Sequence, residues 1–176
     1  MLGGPSEYPE LWAFLESLRS GEDMPGVIAA IDPFGVFVAL DDGPAHPVFP
    51  GVGFIIMPEL SWSRFENAAD VVHVGQRVSC EFLQFDTWNL EARLSLRAKQ
   101  PDPFQAFAEG ATAGRKLAGQ VTWVVPIGAF VRVADGVEGL VPARDLVQHR
   151  LEVGDELEVV IADVDRACRK LLLALR

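Results

Sequence analysis

The chain has 176 residues, 49% of them hydrophobic and 23% charged. That is a globular composition, which excludes a disordered polymer and suits one domain or two small ones. Fifteen Lys and Arg stand against 25 Asp and Glu, a formal charge of −10. This excludes a generic DNA-coating protein but leaves room for a local basic or aromatic face, because charges more than about 8 Å apart are largely screened at physiological salt.

In chain order, Leu11, Phe14, Leu15 and Leu18 recur at helical spacing and predict a leading helix, started by Ser6 or Glu7, within a leader over residues 1–21. From 22 to 99, short apolar runs separated by Gly, Asp and Pro read as the strands of a small β-barrel. In the second strand Val36, Val38 and Leu40 alternate with Gly35 and Phe37. In the last strand Ala92, Leu94 and Leu96 alternate with Arg93, Ser95 and Arg97. Pro101-Asp102-Pro103 then breaks the chain, and Phe104, Phe107 and Ala108 follow at helical spacing, predicting a linker helix within 100–112. A second barrel is expected over 113–176. Acidity belongs mostly to the first part: to Lys99 there are 14 acids and 6 bases, and beyond it 11 and 9.

The second part repeats the first. Gly26-Val27-Ile28 matches Gly119-Gln120-Val121, and Phe34-Gly35-Val36-Phe37-Val38 matches Ile127-Gly128-Ala129-Phe130-Val131, both at an offset of 93. Gly53-Phe54-Ile55 matches Gly139-Leu140-Val141 at 86. Val74-Gly75 matches Val153-Gly154, Asp86 matches Asp165, and Leu94 and Leu96 match Leu173 and Leu175, all at 79. The first copy therefore carries two extra stretches of 7 residues, one between Phe37 and Gly53 and one between Gly53 and Gly75.

The ordered series Gly-x-Val, Phe-Gly-x-Phe-Val, Gly-Leu-Val, Val-Gly-Asp-Glu and Val-Asp resembles the S1 RNA-binding domain. The second copy follows it in Gly128-Ala129-Phe130-Val131, Gly139-Leu140-Val141, Val153-Gly154-Asp155-Glu156 and Val164-Asp165. The first keeps Phe34–Val38, Glu59-Leu60-Ser61-Trp62, Val74-Gly75 and Phe85-Asp86. Asp102–Phe107 is similar to the segments that join consecutive repeats in the bacterial ribosomal protein after which the domain is named. The resemblance spans residues 26–176 and implies an all-β protein of two tandem five-stranded OB-fold barrels, with a short N-terminal helix and a short linker helix. It also implies a non-catalytic, cytoplasmic, bacterial-type protein of translation or RNA metabolism. Its partners would be single-stranded RNA and the ribosome or another protein. The acidic balance, with basic and histidine positions of the family lost, leads to the expectation of only modest RNA affinity. A protein-interaction module with a weakened RNA face is the alternative.

Single-stranded nucleic acid is held by aromatic platforms beside a cationic track. The family's two aromatic positions correspond to Phe34 and Phe37 in the first copy, and the second of them to Phe130 in the second copy. From the residues alone, an uninterrupted apolar strand reads as core, because such strands pack inward; the resemblance implies that these rings face RNA. Phe34 and Phe37 are three apart, so a regular strand puts them on opposite faces, and a bulge at Gly35 would bring them together. Phe130 and Arg132 are two apart and share a face, suiting base stacking beside a phosphate contact. Trp123 either stacks a base or fills the core. Trp62, with Arg64 nearby, either extends the platform or anchors the long loop. Arg93 and Lys170, in or beside the last strands, complete the candidate cations. The proline-rich insertion 43–51, with His46, Val48 and Phe49, either docks on a partner or folds back over the barrel end.

The chain departs from the family in placing Ile56 and Pro142 where a histidine is frequent, and Ile127 where an aromatic is expected. Val27, Ala30 and Gln120 replace basic residues of the first strand. No chemistry competes with binding. His46, His73 and His149 lie in predicted loops with no cysteine spaced for a metal site. Gly51-Val52-Gly53 is no dinucleotide loop. Asp41-Asp42 and Asp163 with Asp165 are explained as turn acids. Cys80 is expected in the core, Cys168 in a turn, and two cysteines make no disulfide framework. Neither a secretory signal nor a span of roughly 20 apolar residues is present, so a soluble protein of a reducing compartment, without cofactor, metal, catalytic residue or membrane, is expected.

Overall fold

A computed structural model describes residues 2–176. Its contacts divide into two compact units, one up to Pro101 and one from Asp102 to Arg176. Each unit is a closed five-stranded barrel. The first has β1 (Asp23–Asp32), β2 (Gly35–Leu40), β3 (Gly53–Ile56), β4 (Arg77–Asp86) and β5 (Glu91–Ser95), in the order β1-β2-β3-β5-β4. The second has β6 (Lys116–Val125), β7 (Gly128–Ala134), β8 (Val137–Pro142), β9 (Glu156–Asp165) and β10 (Lys170–Leu175), in the corresponding order. One parallel pairing, β3 with β5 or β8 with β10, closes each barrel. Closure removes the free edges that would otherwise invite pairing with another chain.

The alternation predicted for the second strand is present: Val36, Val38 and Leu40 are buried while Phe37 faces outward. Close approach explains the matched glycines. A Cβ on Gly35 would lie 2.2 Å from the Ile55 carbonyl oxygen, and one on Gly128 2.1 Å from that of Val141. The Val-Gly turn of each copy is clipped to the first strand. Gly75 N–H donates to Ile28 O at 2.8 Å, and Gly154 N–H to Val121 O at 2.8 Å. Asp86 and Asp165 shape the last hairpins by accepting from the amides of Trp88 and Cys168, both at 2.9 Å.

A short helix seals each core. The helix α1 (Pro9–Ser17) begins with proline, whose fixed φ suits a first turn, and buries Leu11 and Leu15 among the first barrel's residues. Each such leucine contributes about 1.5–3 kcal/mol. The helix α2 (Pro103–Glu109) is capped by Asp102, which accepts from Phe104 N–H at 2.9 Å, and buries Phe104 and Ala108 in the second core. Arg169 pairs with Asp102 and lies 5.3 Å from the Phe104 ring, tying α2 to the β9–β10 hairpin.

Candidate nucleic-acid interface

The bulges set which residues face outward. The extra residue lies at Ala29 in β1 and at Thr122 in β6, not at Gly35. Gly35 stays in register because β3 passes too close for a side chain. Each bulge lets one buried residue, Ile28 or Val121, be followed by an outward one, Ala30 or Trp123, opposite the strand-two phenylalanine. Thr122 Oγ1 donates to Phe130 O at 3.3 Å and pins the second bulge.

Cross-strand pairing then draws one row across each barrel. In the first it runs Ala30, Phe37, Phe54, Arg93, Gln84. In the second it runs Trp123, Phe130, Leu140, Leu172, Asp163. Paired residues share a face, so Phe37 with Phe54 and Trp123 with Phe130 form two outward aromatic pairs. They share the strand-two position, Phe37 or Phe130, while the second ring lies on β3 in the first barrel and on β6 in the second. Trp123 is 52% exposed, which takes it out of the core.

Phe34 is not on a platform strand. It sits in the β1–β2 turn, 79% exposed, its N–H donating to Asp32 Oδ1 at 3.1 Å. Ile127 takes the same place in the second barrel, 63% exposed.

The insertion folds back on its own barrel. Phe49 stacks on Phe37 with centroids 5.1 Å apart and planes at 23°, and His46 stacks on Phe49 at 4.8 Å and 25°. Phe54 lies 4.8 Å from Phe37 on the strand side. His46 Nε2 bonds Asn89 O at 2.9 Å, while Nδ1 accepts from Phe49 N–H at 2.9 Å and Val48 N–H at 3.2 Å. Those contacts place the ring proton on Nε2. Burial pulls the His46 pKa below its ordinary value. Val48 remains exposed.

Charge differs between the two faces. Arg93 lies 4.9 Å over the Phe54 ring but is shared by two carboxylates: its Nε donates to Asp86 Oδ2 at 3.1 Å, and Nη2 lies 3.4 Å from Glu91 Oε2. Burial pushes Asp86 up, but the Arg93 bond and the amides of Trp88 and Asn89 outweigh it and hold the carboxyl low. Burial raises Glu91, opposed by Arg93 and reinforced by Asp86. Phe54, Ile56, Glu59, Gln84, Asp86 and Arg93 surround a pocket of about 480 Å³ beside this row.

In the second barrel Arg132 is two residues after Phe130 in β7, and Lys170 two before Leu172 in β10. β7 is antiparallel to β8, which is parallel to β10, so both cations are displaced to the same side of the aromatic row. Both are exposed. Arg132 Nη2 donates to Gln120 Oε1 at 2.7 Å.

Trp62 and Arg64 lie on the connection after β3. Trp62 is half-buried, stacked under Arg97 at 4.4 Å and donating from Nε1 to Gln100 O at 3.3 Å, while Arg64 is exposed. Phe54 was missed as a platform residue, although the repeat pairs it with Leu140. Cys80 is buried, its thiol pushed up to about 12 by burial, and Cys168 is exposed. Among the described residues no group of His, Cys, Asp and Glu is placed to hold a metal ion, and no helix is long and apolar enough to cross a membrane.

The family model for the S1 RNA binding domain matches residues 17–97 and again residues 111–176. The chain belongs to the S1 RNA-binding domain family. Small ribosomal subunit protein bS1 of Mycobacterium tuberculosis is 37% identical over 171 residues, covering 93% of this chain and 34% of its own length. The bS1 protein of Neisseria meningitidis serogroup B is 29% identical over 174 residues, covering 93% and 29%. This pair of S1 domains thus spans about a third of the length of these relatives. A solved structure of an uncharacterized protein from Methanocaldococcus jannaschii is 32% identical, covers 38% of this chain and 93% of its own, and has a TM-score of 0.35.

Proposed function

We propose that this chain is a non-catalytic RNA-binding protein of the cytoplasm that acts in translation, in association with the ribosome. Single-stranded RNA is its ligand, laid across the outward aromatic rows of the S1 barrels. The observation that carries this reading is the register: the same address on strand two of both barrels holds an outward phenylalanine, Phe37 or Phe130, and each has a second ring opposite it on a neighbouring strand, Phe54 on β3 or Trp123 on β6. Bases stack on such platforms for about 1–3 kcal/mol each. Arg132 and Lys170 supply the cationic track, with Phe34, Trp62, Arg64 and Arg93 as the outlying contacts. With a net charge of −10 and few cations on the face, counterion release is small and affinity modest.

A protein-interaction role for the first barrel is a second reading. It is favoured by the neutralisation of Arg93 between Asp86 and Glu91 and by the exposed Val48 on the proline-rich loop.

The test is fluorescence anisotropy of a labelled mixed-sequence single-stranded RNA at several salt concentrations, comparing the chain with a Phe37→Ala, Phe130→Ala double variant. Saturable binding that weakens with salt and drops at least tenfold in the variant is expected. A folded chain that binds no RNA even at low salt overturns the reading.

A further inference from the structure

Resting on that reading, we propose that the RNA site of this chain is the second barrel, and that residues 43–51 are a built-in occupant of the matching site on the first. Phe37 has Phe49 stacked on one side and Phe54 on the other, at 5.1 and 4.8 Å. The column continues to His46, so the outer side of Phe49 is also covered. A base reaches Phe37 only by taking the place of Phe49. Three prolines, Pro44, Pro47 and Pro50, stiffen the loop and lower the entropy lost in holding it closed. The backbone amides of Val48 and Phe49 are tied to His46 Nδ1, which fixes the turn that presents the Phe49 ring.

The second barrel has no such segment. β7 and β8 are joined through Asp135 and Gly136 alone, whereas 12 residues separate Leu40 from Gly53.

Charge at matched positions points the same way. The offsets of 93 and 79 set Arg132 against Ala39 and Lys170 against Glu91. Trp123, exposed on the second platform, stands where the first has Ala30. The second barrel therefore carries both parts of a single-strand site, stacking rings and cations, while the first carries a ring already stacked and a carboxylate in place of a cation.

The experiment uses the full chain with the same labelled RNA at one low salt concentration. Phe130→Ala and Trp123→Ala are each expected to weaken binding about tenfold, and Phe37→Ala less than twofold. Phe49→Ala is expected to hold or strengthen binding. In the Phe49→Ala background Phe37→Ala should then cost several-fold, because the ring has become available. Phe37→Leu, which keeps an apolar contact with Phe54, separates loss of stacking from loss of fold. A nuclear Overhauser contact between the Phe37 and Phe49 rings in the RNA-free chain is expected independently of any RNA measurement. The proposal is overturned if Phe37→Ala in the wild-type loop costs as much as Phe130→Ala, if Phe49→Ala weakens binding tenfold, or if the ring contact is absent. No RNA binding by the wild-type chain would instead overturn the function on which the proposal rests.

Discussion

Leu90 and Arg169 stand 79 residues apart at the same place in the two last hairpins, and both have left-handed backbone angles, φ 58° and 53°. They are the non-glycine residues with positive φ among the described residues. That conformation costs an L-residue roughly 1 kcal/mol, so each must be retained by its side chain. Leu90 is fully buried in the first core, and Arg169 pairs with Asp102 beside Phe104. Arg169→Gly and Arg169→Ala lose the same ion pair, but only glycine releases the backbone. The glycine variant is expected to be more stable than the alanine variant by about 1 kcal/mol, read from urea unfolding. An alanine variant of equal or greater stability would contradict this.

His46 is expected to titrate below 6.5, its ordinary value, because burial disfavours its cation. The two amides donating to Nδ1 act the same way, since protonation would turn that acceptor into a donor. The sign follows: the unfolded chain takes up the proton first as pH falls. The stability of the closed loop is thus full above 6.5 and is lost as pH drops through the lowered folded value. A histidine ring titration by NMR checks the midpoint, and loss of the His46–Phe49 contact should follow the same curve.

Glu91 behaves oppositely. Its Oε2 is buried without a hydrogen bond, and burial raises its pKa. The stability this group contributes is therefore full below the ordinary carboxyl value and is lost as pH rises through the raised folded value. Glu91→Gln is expected to raise thermal stability at pH 7, by about 1 kcal/mol, with the advantage shrinking as pH falls through the raised folded value of Glu91. A variant less stable at pH 7 than at pH 4, relative to wild type, would refute the assignment.

Cys80 is expected to resist thiol reagents in the native chain, its thiol held near 12 and enclosed by the first core. Cys168, exposed in the β9–β10 turn, should label at once. Titration with a maleimide should give one equivalent natively and two in denaturant.

The repeat makes the barrels legible, because matched offsets of 93, 86 and 79 place strand on strand in the sequence itself. The period of two sets Phe37 on the opposite face from Val36 and Val38, but an uninterrupted apolar strand reads as core, and only the family resemblance turns Phe37 and Phe130 outward. Phe54 was hidden because it is only 8% exposed, sheltered by Phe37 and Arg93, and pattern alone cannot tell a covered outer ring from core. Gly35 is the conspicuous candidate for a bulge, but the bulge lies opposite, at Ala29, where no residue type announces it. The seat of Phe49 depends on a contact across the β2–β3 connection, which local sequence does not encode. Arg93 was legible as outward, but its two carboxylate partners come from the β4–β5 hairpin register.

The bulges at Ala29 and Thr122 have a consequence for how two copies diverge. Each fixes which residue faces the strand-two phenylalanine, and the two extra stretches of 7 residues enter outside that frame. A duplicated barrel can therefore lengthen its connections without moving any position on its face. What changes is only which side chain sits at a kept position: alanine or tryptophan at one, glutamate or lysine at another. The two copies are one coordinate grid filled twice, and a single exchange such as Ala30→Trp carries a property from one filling to the other.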